Sequence, residues 1–481
     1  MSSRAAFARG IRWVAAGRLS AQLVSWVATV VVLRLLTPED YGLVAVCTAV
    51  LGAVAILSEF AISAGVVQAK TLDRAQLRSV FGAALLISGS CALLVILTAP
   101  MLAAFFRAPG ATVLIQVSTL QLVLAPFAAL SDAALNRELR FRAMAAVDFL
   151  GMLVASLGTV ALAWSGAGVW ALVLGPIAGT AARVALLQGF APMRLWPSFR
   201  LGPARALIRF GATVAASRMA GYVFGQSDLW IAGRMLSKVQ LGEYSVAMQL
   251  AMLPLSKTMG ILNSVLFPIL ARMNRADEDV RASLLQGLRT MLYVGVPMLW
   301  SIVVVADPLI PLLLGQKWIG AVPVLALIGL VLPVRIVSVL LSSVLLGSGR
   351  ADLDLRNTLT GALLMPPLFL VGVQFGAAGL AAAWIVGLPL TVALNLARSR
   401  AALRLTFAAL LRAAAPPFAC GLVLLGVGLG TKFALSGALA PWAAMVIALV
   451  AGWLVFVALV YLTDRSALLQ LAAVAGMKPR Q

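Results

Sequence analysis

Apolar residues run along this chain in stretches of about 20, which at 1.5 Å per residue cover the roughly 30 Å of a bilayer's hydrocarbon. Short breaks of charge, proline and glycine separate them. The stretch from Arg34 to Gln68, RLLTPEDYGLVAVCTAVLGAVAILSEFAISAGVVQ, holds the plan in small: Thr37-Pro38-Glu39-Asp40 ends one run, and Tyr41 to Val67 is the next. Fourteen spans begin near residues 11, 41, 79, 111, 143, 168, 206, 241, 284, 320, 353, 378, 417 and 441. The pattern predicts an all-α polytopic membrane protein with about 14 transmembrane helices and only short loops. The basic start MSSRAAFARGIRW leads into an apolar run that continues to Leu36, too long for a signal-peptide core, and is expected to be a retained first span.

A shift of 200 residues superposes Ala15, Ala16 and Arg18 on Ala215, Ala216 and Arg218, and Arg34, Leu36 and Gly42 on Arg234, Leu236 and Gly242. Later, Ala167-Gly168 matches Ala378-Gly379 at a shift of 211. Six spans per repeat is an even number, so both halves begin on the same side and form a parallel repeat. The expected lobes are residues 1–195 and 196–405, with two additional helices and a tail in residues 406–481. Pro126, Pro176, Pro254, Pro297, Pro333, Pro366, Pro367 and Pro389 fall inside spans, where each removes a helix hydrogen bond and permits a kink.

Composition excludes the soluble classes, with 62% hydrophobic and 11% charged residues. The net charge of +21 would suggest nucleic acid in a soluble chain, but here Lys and Arg lie in small groups between apolar spans. Placing the N-terminus inside puts 24 of these cations in inner segments and five (Arg107, Arg234, Lys238, Lys317, Lys432) in outer loops. The positive-inside rule then sets both termini in the cytoplasm. The chain has no His, which removes histidine acid-base chemistry, metal ligation and proton relays. Cys47, Cys91 and Cys420 lie within apolar runs and are expected to be small buried side chains.

Polar groups inside spans carry the chemistry. Arg18, Gln22, Ser25 and Thr29 form one stripe on the first span, and Thr48, Gly52, Ala55, Glu59 and Ser63 form another on the second. Arg18 and Glu59 lie at similar depths and are expected to pair in the empty cavity, an anionic substrate competing with Glu59. In the second repeat Arg218, Tyr222 and Gln226 form the matching stripe, Met259 replaces the acid, and Lys257 stands two residues before it. A charged side chain in a span costs at least about 2.5 kcal/mol on insertion scales, so Arg18, Arg218, Lys257 and Arg335 are the candidate binding cations. Snorkelling accounts for Arg34, Arg183, Arg209 and Arg289 near span ends. Asp148 and Asp228 suit either structural ion pairs or proton or sodium coupling, and no other cofactor or metal is expected. Arginine would suit a diphosphate, since its planar fork bonds two oxygens and stays charged when desolvated. Trp13, Trp230 and Trp318 read as an interfacial belt, while Trp26 and Tyr222 could stack on sugar rings.

Arg34-Leu35-Leu36-Thr37-Pro38-Glu39-Asp40-Tyr41-Gly42, with Ser58-Glu59-Phe60 and Val67-Gln68, resembles the polysaccharide transporter family, the Wzx-type and colanic acid exporter-like flippases of the multidrug/oligosaccharidyl-lipid/polysaccharide superfamily. Asn136-Arg137 with Phe141-Arg142, and Pro308-Leu309-Ile310 through Gly315-Gln316-Lys317-Trp318, agree with it. The resemblance implies two six-helix lobes around a cavity that opens alternately to each side of the bacterial inner membrane. It implies an undecaprenyl-diphosphate-linked oligosaccharide as cargo, with a polysaccharide polymerase and chain-length or export machinery as partners, and no catalytic residues. Two other classes compete. An integral membrane glycosyltransferase or polymerase would use Glu39 and Asp40, which as a helix-start turn need no catalytic role. A cation antiporter of the same superfamily would want more cavity carboxylates.

Overall fold

A computed structural model describes residues 22, 24–68, 73–137, 140–190, 196–200, 202, 205–273, 280–403 and 405–464. These residues are almost wholly helical. They form α1 (Val24–Leu35), α2 (Pro38–Gln68), α3 (Arg74–Phe105), α4 (Ala111–Ser118), α5 (Leu120–Arg137), α6 (Phe141–Trp164), α7 (Trp170–Phe190) and α8 (Arg205–Met235). Beyond them come α9 (Lys238–Met273), α10 (Val280–Leu314), α11 (Ala321–Gly347), α12 (Ala351–Gly372), α13 (Gly376–Leu403), α14 (Phe407–Leu435) and α15 (Pro441–Thr463). Among the described residues ten stretches are long and apolar enough to cross a membrane, and the chain is a multi-pass membrane protein.

Two sequence expectations about helix ends shift. The apolar run from residue 111 is two helices, α4 and α5, interrupted at Thr119. The span expected to start near 417 begins at Phe407, with Pro416 and Pro417 inside it. Thr406 fixes that earlier start, its hydroxyl accepting the Ala409 N–H at 3.2 Å as an N-cap. The two prolines leave the helix unbroken because each costs one hydrogen bond in a segment whose packing is already fixed.

The chain divides into two compact units at Gly242 and Glu243. In the first, α6 and α7 form a tight hairpin built on small residues. A Cβ on Gly175 would strike Thr159, one on Gly179 would strike Ala155, and one on Gly151 would lie 3.2 Å from Arg183 Cβ. Ala128, Leu135, Val147 and Leu187 close the core between this hairpin and α5. In the second unit, α14 and α15 are fastened to α10 along its length. Lys432 donates to Asp307 at 2.7 Å and to the Val304 carbonyl at 2.9 Å, Trp453 donates to Ser301 at 3.0 Å, and Arg289 pairs with Asp464 at 2.6 Å. Tyr293, Cys420, Leu424, Phe456 and Val460 fill the space between them. Cys47 and Cys420 are buried and all three cysteines are free thiols.

Trp318 and Arg289 depart from their expected places. Trp318 is fully buried rather than interfacial. Arg289, expected to snorkel, is held by Asp464 and lies 5.9 Å from the Tyr293 ring centre. A buried carboxylate at the end of α15 offers more than water does, and sequence distance hid it.

Candidate functional site

The turn into α2 explains why Arg34 to Gly42 is distinctive. Thr37 is the N-cap and Pro38 opens the helix. Asp40 accepts the Thr37 N–H at 2.9 Å and its hydroxyl at 2.7 Å, while the Asp40 N–H faces the Thr37 hydroxyl at 3.3 Å. This reciprocal capping box gives the acid a structural task. Two hundred residues on, Ser237 caps α9, accepting the Gln240 N–H at 3.2 Å. Both turns take two residues, Leu36-Thr37 and Leu236-Ser237, between the helices they join. The repeat is therefore one of conformation as well as of letters.

The two turns meet. A Cβ on Gly42 would fall on the Lys238 carbonyl oxygen, and one on Gly242 would fall on the Pro38 carbonyl oxygen. Around them Lys238 donates to the carbonyls of Phe106 at 2.7 Å and Gly233 at 3.0 Å, and Arg234 donates to Phe105 O at 2.8 Å. These two cations, counted from sequence as outer-loop charges, close the turn after α3, whose Phe106 is fully buried against Trp230 at 5.2 Å. Further along, the Tyr222 hydroxyl donates to the Ala49 carbonyl at 2.6 Å and lies over Gly52. From Pro38 to Gly52 is about 20 Å of helix, so α2 and α8 are closed against each other from their turns to mid-span.

Just past that closure lies Arg218, one helical turn beyond Tyr222 on α8 and exposed. Tyr222, expected on sugar rings, is here a latch between helices. Gln22 is half-buried and Trp26 is 39% exposed on the first span, where the Thr29 hydroxyl bonds back to the Ser25 carbonyl at 2.7 Å. Asp228 is buried, with its carboxylate accepting the Leu229 N–H at 2.8 Å. Arg18 lies outside the described residues, as do the side chains of Glu59 and Lys257, so the expected Arg18 to Glu59 pair lies outside them too.

Asp148 belongs to a triad. Arg183 on α7 donates to Asp132 of α5 at 2.8 Å and to Asp148 of α6 at 3.1 Å. Asp132 and Arg183 lie roughly 8 to 10 Å from the C-terminal ends of α5 and α7, and Asp148 lies about as far from the start of α6, which is why they meet. Arg183 was expected to snorkel, and Asp132 was not singled out. The available signal was two acids and a base at matching depth in three successive spans. Elsewhere, in the second unit, Arg335 lines a small pocket with Met248, Met252, Ile328, Val331, Leu332, Trp384 and Leu388. Its guanidinium sits 5.8 Å from the Trp384 ring centre, and that indole donates to buried Tyr244 at 3.1 Å. Among the described residues no group of three or more acids or cysteines could hold a metal ion.

Known proteins resemble this chain in fold and in sequence. The fold is similar to a solved lipid II flippase, MurJ, in its inward closed conformation, with a TM-score of 0.77 over 95% of this chain and 99% of that one at 13% identity. A multidrug resistance MATE transporter of the MOP superfamily in an inward-facing conformation aligns with a TM-score of 0.62 over 80% of this chain and 94% of that one at 14% identity. By sequence the chain is 24% identical to the lipopolysaccharide biosynthesis protein WzxC of Escherichia coli K12, over 79% of this chain and 77% of that protein. It is 26% identical to the succinoglycan biosynthesis transport protein ExoT of Rhizobium meliloti over 67% of this chain and 65% of that protein. The sequence profile of the polysaccharide biosynthesis protein family matches residues 31–323, from the α1 helix through the capped turns at Thr37 and Ser237 and on into α11, and with more than half its length inside that match the chain belongs to this family.

Proposed function

We propose that the protein is a flippase. It carries an undecaprenyl-diphosphate-linked oligosaccharide from the cytoplasmic to the outer leaflet of the bacterial inner membrane, and polysaccharide assembly follows. Its 14 spans form two parallel six-helix lobes, residues 1–195 and 196–405, with two further helices and a tail in 406–481, and both termini are cytoplasmic. Arg18, Arg218, Lys257 and Arg335 attract the diphosphate, while Gln22 and Trp26 line the sugar's path. Glu59, Asp148 and Asp228 are the acids offered for proton or sodium coupling, Asp148 being engaged by Arg183 in this structure. Transport, with no bond made or broken by the protein, is the whole activity, and a polysaccharide polymerase receives the product.

The observation that carries this reading is the α2–α8 closure with a cation at its inner edge. Tyr222 bonds α2 at Ala49, and Arg218 stands one turn further from the capped turns. An anionic headgroup arriving from the Arg218 end meets a positive charge and then a latched pair of helices. Membership of a polysaccharide biosynthesis family supports this cargo class, and likeness to a lipid II flippase supports this fold for it.

Deleting the gene and extracting lipid-linked oligosaccharides tests the function. Complete units should accumulate facing the cytoplasm while surface polymer disappears. Units found already facing outward, but unpolymerised, would place the protein after translocation and favour an enzyme.

A further inference from the structure

Residues 196–200, Trp-Pro-Ser-Phe-Arg, connect the first six spans to α8 and are held in place rather than looped free. The Ser198 N–H donates to the Arg78 carbonyl at 2.9 Å, and the Arg78 side chain donates back to the Trp196 carbonyl at 3.0 Å. A Cβ on Gly82 would fall on the Ser198 carbonyl oxygen, so Gly82 is what lets the segment lie flat on α3. With its backbone tied down, the segment still presents its two largest side chains outward: Trp196 is 83% exposed and Phe199 59%.

We propose that this segment is an interfacial strap whose Trp196 and Phe199 insert among the headgroups of an anionic phospholipid leaflet. Three observations fix that occupant. Arg78 and Gly82 lie in the first turns of α3, whose apolar stretch starts at Ala75, so the strap sits where hydrocarbon gives way to headgroups. Tryptophan prefers that depth because its ring is apolar and its N–H is polar. The exposed cations beside it, Arg78, Arg200 and Arg205, complement acidic lipid, and Arg194 precedes it in sequence. The strap holds the connector to α3 whatever cargo passes, so this assignment does not depend on the flippase reading.

Spin labelling of the full chain tests it. With Cys47, Cys91 and Cys420 replaced by alanine, a label at Phe199→Cys is compared with one at Leu97→Cys, a 70% exposed position in mid-α3. Both are reconstituted in vesicles of phosphatidylethanolamine and phosphatidylglycerol. The strap predicts that the label at 199 collides with oxygen several-fold more than with a water-soluble nickel chelate, at a shallower depth than the label at 97. Free access of the chelate at 199 overturns the proposal, and so does shielding from both reagents, which would mean that protein covers the segment. Gly82→Val provides a second arm, because it should lift the strap and raise chelate access at 199 several-fold. No change in a folded Gly82→Val protein overturns the role of α3 in holding it.

Discussion

Gly42 and Gly242 each press against the backbone carbonyl that opens the other's helix: Gly42 against Lys238, Gly242 against Pro38. The positions differ by 200 in both pairs, so the contact is reciprocal, as a two-fold axis requires of two like elements. An internal repeat thus builds its own symmetric junction, and a hydrogen atom is the only side chain that fits there.

That junction should tolerate no side chain. Gly42→Val and Gly242→Val are each expected to abolish polymer export, because relieving the overlap by backbone shifts costs about 1 to 3 kcal/mol and separates the capped turns. A thiol placed at Ser237 should become more reactive to an impermeant reagent in both variants. Normal export from either, at normal membrane levels, would remove the close approach from the mechanism.

For the triad, the order of effects matters more than their size. Arg183→Ala strands two carboxylates in three packed helices, whereas Asp148→Asn leaves the Arg183 and Asp132 pair intact. Removing one partner of a fully buried pair costs about 3 to 5 kcal/mol, but these side chains are 24 to 50% exposed, so about 1 to 2 kcal/mol is expected for Arg183→Ala and less for Asp148→Asn. Thermal unfolding of purified protein in detergent measures both. A larger loss from Asp148→Asn would mean that this acid has a partner more important than Arg183.

The two bridges that fasten α14 and α15 to α10 should be unequal. Asp464 is 9% exposed and Asp307 is 56% exposed in their respective pairs. Asp464→Asn is therefore expected to cost about 1 to 3 kcal/mol, and Asp307→Asn less than about 1 kcal/mol, since water screens an exposed pair. Comparing melting temperatures of the two variants with the parent checks this, and equal losses would contradict the burial argument.

The proposed diphosphate binding makes a chemical demand on Arg18 and Arg218. Alanine at either position should abolish export with protein still in the membrane, and lysine should restore it only in part, because an ammonium lacks the planar fork. Full activity from both lysine variants would show that charge alone suffices.

Hydropathy and charge by themselves determined that the chain is a helical membrane protein and where most helices start, and residue identities added that Arg34, Leu36 and Gly42 recur as Arg234, Leu236 and Gly242. Those properties are local: an apolar run must be a helix in lipid, and Thr37 and Ser237 cap their helices with atoms three residues away. The letters also told where Glu39 and Asp40 belong, in a helix-start turn. Tertiary structure alone decided which groups meet. Asp132, Asp148 and Arg183 are spread over more than fifty residues, and Arg289 lies far in sequence from Asp464. Gly42 could be read as one more small residue until the Lys238 carbonyl was found against it. Periodicity records which face of a helix is polar, whereas a partner is chosen by how helices of equal depth pack, and that choice leaves no mark on either segment alone.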